Sequence, residues 1–217
     1  FVMSTDRLKN SPGFSIDWVA AAAGDDPDVL RLENLDTDLR PPQAAIEATH
    51  AAIEADDANS YLPFIGQDVL RAAAAAHVSR LSGVDYNPQQ QCVITAGGTE
   101  GMLNALLATL NEGDEVVLTD PTYAGMINRV RLAGGIARLA PFVLRDGQWR
   151  LDLNRLVDVV NNRTRVFFIM NPSIPSGAVL SHPEWDFIAK LCVNHDCLML
   201  YNAAMERILY DDRPYLH

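Results

Sequence analysis

The run Val166-Phe-Phe-Ile-Met170 is apolar without interruption, and Asn171-Pro172-Ser173-Ile174-Pro175-Ser176-Gly177 follows it at once. An apolar run of this length reads as a strand buried on both faces, as in a parallel sheet covered above and below by helices. Two prolines and a glycine then end the strand and impose a rigid turn at its carboxyl end. In open α/β sheets ligands bind at that edge. The 171–177 loop is therefore a candidate wall of a binding site.

The rest of the chain agrees with this layering. Residues 1–42 are irregular in pattern, with Asp25-Asp26-Pro27-Asp28 and Arg40-Pro41-Pro42 as breakers. Pro42 to Asp56 reads as a helix with Ile46 and Ile53 on one face. A second, alanine-rich helix is expected from Gln67 to Ser82, closed by Gly83. Strands are then expected at Cys92–Thr95, Glu115–Thr119, Ala137–Phe142, Val166–Met170 and Cys197–Tyr201. Helices are expected between them at Thr99–Leu110, Ala124–Ala133, Leu153–Val160 and Pro183–Asn194. Strands alternating with helices of this length imply crossover connections, hence a three-layer αβα fold around a mainly parallel central sheet.

Composition narrows the function classes. With 217 residues, 48% of them hydrophobic, the chain can bury a large core. A formal net charge of −11 argues against nucleic acid or an anionic membrane as the main partner. No apolar run approaches the roughly 20 residues that span a bilayer, and the start lacks a signal-peptide layout. Cys92, Cys192 and Cys197 are odd in number and fall in regular segments. Reduced, buried thiols in a cytoplasmic protein are the expectation. Lysine is confined to Lys9 and Lys190.

Two further segments carry chemistry. In Thr95-Ala96-Gly97-Gly98-Thr99-Glu100-Gly101 a strand is expected to end and a helix to begin at Thr99. The free N–H groups and dipole of a helix start suit an anion, above all a phosphate; a plain turn with a Thr N-cap is the alternative. In Asp120-Pro121-Thr122-Tyr123 a rigid proline precedes an aromatic ring that can face a flat heterocycle. Asn202 ends a later strand. Gly98/Thr99, Tyr123, the 171–177 loop and Asn202 thus converge on one sheet edge. Asp120 also sits where a nucleotide-binding unit keeps its ribose acid, which leaves a nucleotide or adenosyl-methionine reading open.

The order of these landmarks resembles the fold type I pyridoxal-phosphate (PLP) aminotransferases, the aspartate aminotransferase superfamily. The matching residues are Tyr61…Gly66…Leu70-Arg71, Gly97–Gly101, Gly113-Asp114-Glu115-Val116, Asp120–Tyr123, Asn171–Gly177 and Tyr201–Glu206. The resemblance runs from about Pro41 to Asp211 and covers the first half of a typical member. It implies a chain truncated before the C-terminal domain. Residues 1–42 would then belong to the N-terminal arm and small domain, and 43–217 to the large PLP-binding domain. It implies amino transfer between an amino acid and a 2-oxo acid by a cytoplasmic homodimeric transferase. Gly98, Thr99 and Glu100 would meet the cofactor phosphate, Tyr123 would stack on the pyridine ring and Asn202 would face its nitrogen. Tyr61 would reach the phosphate of the neighbouring subunit.

The departures from the family pattern are specific. Asn202 stands where an Asp is usual, Ile174 where an Asn contacts the ring oxygen, and Met205 where a Tyr contacts the same oxygen. Asn171 or Ser173 could substitute if the loop shifted by one residue. Asn34 falls near a substrate-contacting glycine of many relatives. Neither Lys9, in the irregular start, nor Lys190, mid-helix, is placed as the Schiff-base amine, so this chain alone is expected to be inactive. A diverged relative binding a phosphate ligand or a partner is the second reading, and a nucleotide- or adenosyl-methionine-dependent enzyme the third.

Overall fold

The computed structural model describes residues 16–33, 39–213, 215 and 216. They pack as two compact units that divide between Ile94 and Thr95. The first holds α1 (Ile16–Ala23), α2 (Gln43–Glu54), a 3₁₀ turn (Asp57–Asn59) and α3 (Asp68–Ser82). Both expected helices of this unit are present, but α2 buries none of its residues and Ile53 is exposed. Asn59 closes α2: its Nδ2 donates to the carbonyls of Ile53 (2.8 Å) and Ala55 (2.9 Å) at the helix end. Gly83 closes α3 in the left-handed region, φ +71°, with its N–H on the Ser79 carbonyl.

Arg71 of α3 is the main buried polar side chain of this unit. Its guanidinium donates to the carbonyls of Gly66 (3.3 Å) and Pro88 (2.7 Å), to Gln89 Oε1 (2.9 Å) and to Asp68. This accounts in structural terms for the Gly66…Arg71 landmark. Residues 92–95 form no strand; the Ile94 N–H donates to the Ile65 carbonyl instead. The expectation failed because periodicity reports burial, whereas a strand also needs a neighbour to pair with.

The second unit is the sheet. Its strands are β1 (Glu115–Asp120), β2 (Ile136–Arg145), β3 (Gln148–Leu151), β4 (Thr164–Met170) and β5 (Leu198–Asn202), in the order β3-β2-β1-β4-β5. All neighbours pair in parallel except β2 and β3. Helices α4 (Gly97–Thr109), α5 (Ala124–Leu132), α6 (Leu153–Val159) and α7 (His182–Asn194) complete it. The β2–β3 hairpin was not expected from the sequence. It turns on Asp146 (φ +50°) and Gly147 (φ +73°), the conformation that suits a two-residue hairpin and that Asp-Gly signals.

Alternation along the strands builds two cores. Val117, Phe167 and Ile169 face one side, with Leu156 of α6 and Ile188 and Cys192 of α7. Val116, Leu118, Val166, Phe168 and Met170 face the other, with Met102 and Leu106 of α4 and Met126 and Val130 of α5. The three-layer αβα architecture follows directly. Phe167 and Phe168 are fully buried on opposite faces, each stabilising the fold by roughly 1.5–3 kcal/mol.

The amino-terminal edge is fastened by charge. Glu115 is buried, and its carboxylate accepts from Arg138 (2.7 Å), Arg163 (2.7 Å) and Asn161 (2.7 Å). The Arg138 hydrogen bond is the largest influence holding its pKa down at about 2, against the opposing effect of burial. On the α7 side, Glu184 is also buried and accepts from the N–H groups of Ser181 (2.7 Å) and Leu151 (2.9 Å), tying β3 to the helix start. Among the described residues no helix is long and apolar enough to cross a membrane.

Candidate functional site

Because β1, β4 and β5 run parallel, their carboxyl ends open on one edge. Asp120 closes β1 and Pro121 follows it, the 171–177 loop follows β4, and Asn202 closes β5. The peptide bonds before Pro121, Pro172 and Pro175 are cis. Asp120 itself is exposed.

Helix α4 begins two residues earlier than expected, at Gly97. Its N-cap is Ala96, so Thr99 lies inside the first turn rather than capping it. The loop before it is held by its own bonds. Thr95 Oγ1 donates to the Gly97 carbonyl (2.9 Å), and the Ala96 N–H donates to Glu100 Oε2 (2.5 Å). The Gly97 N–H turns to the Thr95 carbonyl (2.7 Å). Of the four N–H groups that a helix start leaves without intrahelical acceptors, those of Gly98 and Thr99 remain for a ligand. Both residues are exposed, and a Cβ at Gly98 would meet open space. Glu100 is thus turned back on the turn as a fastening group and is not aimed at an anion.

Tyr123 is the N-cap of α5 and is half-buried against the α4/α5 core. Ile174, Leu200 and Met205 pack against the same cluster. Asn202 is drawn in from β5: its Nδ2 lies 3.5 Å from Met102 Sδ of α4, and its Oδ1 accepts from the Ala204 N–H (2.9 Å). One residue that the sequence did not single out joins them. Arg129 of α5 donates through Nε to the Thr99 carbonyl (3.2 Å), and its guanidinium carbon lies 5.8 Å from the centre of the Tyr123 ring. The only sequence signal for it was Gly125, one turn earlier, which leaves room for the side chain.

The 171–177 loop is held by its own backbone hydrogen bonds. Ser173 N–H donates to the Ala178 carbonyl and Gly177 N–H to Ser173, both at 2.8 Å. Asn171 is buried, and its Oδ1 accepts from the Leu180 N–H (2.9 Å). Its carbonyl accepts from Tyr201 Oη (3.3 Å), whose hydroxyl burial holds in the neutral form by raising its pKa. Ser173 is buried as well, so Ile174 is the side chain this loop gives to the α4/α5 cluster.

Comparison with known proteins gives an independent line on the family. The family model for aminotransferase class I and II matches residues 28–215. The chain belongs to this family. The solved N-succinyldiaminopimelate aminotransferase of Mycobacterium tuberculosis is similar over 99% of this chain and 55% of its own, with a TM-score of 0.89 and 29% identity. Human kynurenine–oxoglutarate transaminase 1 is 28% identical over 199 residues, 87% of this chain and 47% of the relative. Aromatic-amino-acid aminotransferase 2 of Thermococcus litoralis is 32% identical over 151 residues, 70% and 39% of the two chains. The chain therefore spans about half the length of the curated relatives it matches.

Members of this aminotransferase family use PLP. The residues present fit the cofactor's phosphate, at the α4 start, and one face of its ring, at Tyr123. Ile174 and Met205, which pack on the same cluster as Tyr123, bring only apolar side chains. Lys190 is exposed on α7, across the sheet from α4. Tyr61 is exposed at 97% and belongs to the first compact unit. Lys9 and Asn34 lie outside the described residues.

Proposed function

We propose that residues 43–217 form the cofactor-binding part of an aminotransferase that moves an amino group between an amino acid and a 2-oxo acid. The two N–H groups that α4 leaves without acceptors, linked to Tyr123 through Arg129, carry the reading. PLP, when bound, supplies the electron sink that amino transfer requires. The Gly98 and Thr99 N–H groups hold the phosphate at the positive end of the helix dipole. Tyr123 covers the ring, while Ile174 and Met205 keep water from its edge. Asn202 offers the ring nitrogen a neutral hydrogen bond and no charge. The chain's contribution is binding and orientation; none of the described residues is placed to act as the Schiff-base amine.

Tyr61 and Phe64, both 97% exposed, support a homodimer in which the first unit meets a second copy. The test is equilibrium binding of PLP with a parallel assay of amino transfer. The expected outcome is reversible binding that borohydride does not fix to protein, with no turnover by this chain alone. Covalent fixation to Lys9 or Lys190 would overturn the assignment of no catalytic amine.

A second reading rests on the side chains around Asn202. With Ile174 and Met205 apolar and the Asn202 amide turned to Met102, the site binds a phosphate ligand without catalysing its chemistry. PLP binding by a full-length protein that shows no amino transfer would favour it.

A further inference from the structure

Arg129 bridges two helix ends: it sits in the last turn of α5, which favours a cation, and reaches the first turn of α4. A positive charge beside a helix start opposes the helix dipole, which favours anions there. The place of Arg129 in the last turn of α5, the Thr99 hydrogen bond and the Tyr123 ring account for the side chain's packing. The positive charge it brings to the first turn of α4, where the Glu100 carboxylate accepts from the Ala96 N–H, is what an anion there would meet. The side chain is tightly specified. Its Nε donates to the Thr99 carbonyl at 3.2 Å, and it lies over Tyr123. Room for it comes from Gly125, where a Cβ would collide with Nη1 and stand 3.3 Å from both Arg129 Cζ and Tyr123 Cε1.

We propose that Arg129 is a positioning residue for the phosphate end of the site. It locks the Thr99 backbone and the Tyr123 ring into one arrangement and adds positive charge beside the two N–H groups that receive the anion. The inference rests on the reading of the α4 start as a phosphate site. Its consequence is selectivity: the site favours a phosphorylated pyridine ligand over the same ligand without phosphate, and Arg129 sets much of that preference.

The experiment compares binding of PLP and of pyridoxal to the intact chain by quenching of tryptophan fluorescence. Arg129→Ala should weaken PLP about tenfold, the scale of one lost charge-assisted contact, and leave pyridoxal nearly unchanged. Arg129→Lys, which keeps the charge, should recover part of the preference. Gly125→Ala, which keeps Arg129 but displaces it, should behave like Arg129→Ala. Equal losses for both ligands, or an unchanged ratio in Arg129→Ala, would overturn the proposal, since a merely structural arginine does not distinguish them. A wild-type chain that bound PLP no better than pyridoxal would instead remove the phosphate reading beneath it. Thermal unfolding of each variant identifies misfolding, and Arg129→Lys still decides the matter if Arg129→Ala is unstable.

Discussion

The Asn202 amide and the Met102 thioether meet at the carboxyl edge of the sheet, 3.5 Å apart, joining the end of β5 to α4. The other half of the amide is committed to the Ala204 N–H. Asn202→Asp would keep that second bond and replace the contact to sulfur with a charge. A carboxylate facing the pyridine nitrogen favours its protonated form. The midpoint for titration of bound PLP, followed by its visible absorption, should move up by about one unit or more. An unmoved midpoint would place the nitrogen away from residue 202.

Glu115 sets the acid stability of the opposite edge. Its folded pKa of about 2 lies below the unfolded value of 4.5, so the stabilisation is fully present above pH 4.5 and is lost as pH falls toward 2. Glu115→Gln should cost roughly 1–3 kcal/mol at neutral pH, because Arg138, Arg163 and Asn161 lose a shared acceptor. The gap from wild type should close between pH 4.5 and 2 in urea unfolding curves. A gap independent of pH would mean that packing, not charge, makes the residue important.

What the sequence revealed depended on how local the cause was. The apolar run of β4 and the prolines after it are properties of contiguous residues, so strand, loop and edge could be read together. The helix dipole at Gly98 and Thr99 was legible for the same reason, although the start lay two residues away from Thr99 because Glu100 and Thr95 hold the turn. Pairing is not local: residues 92–95 have the composition of a strand but bond through Ile94 to Ile65. Arg129 was missed because its partners, Thr99 and Tyr123, lie on other segments. The β3 strand is a different case, since its hairpin turns on the contiguous pair Asp146-Gly147, a local signal like the prolines after β4.

Gly66 and Gly83 both have positive φ, +95° and +71°, but only one is crowded. A Cβ at Gly83 would meet open space, so Gly83→Ala should cost only the backbone penalty, about 1 kcal/mol. A Cβ at Gly66 would lie 2.6 Å from the Cβ and Cγ1 of Ile94, beside the carbonyl that Arg71 holds. Gly66→Ala should add a packing cost of about 1–3 kcal/mol to that penalty. Limited proteolysis should then cut first within residues 61–94. Similar stability of the two variants would show that Ile94 yields without cost.

Ile174 offers the sharpest separation of fold from chemistry. Its side chain packs against the α4/α5 core with Tyr123, Leu200 and Met205, and the backbone around it is fixed by the Ser173–Ala178 bond. Ile174→Asn should therefore leave the loop in place and cost roughly 1–3 kcal/mol by putting an amide where an alkyl group packed. The same amide can donate to a ring oxygen, so PLP should bind several-fold more tightly, on the scale of one net hydrogen bond. Binding and unfolding would then move in opposite directions within one variant. Loss of both together would mean that residue 174 serves packing alone and that the ring lies elsewhere along this edge.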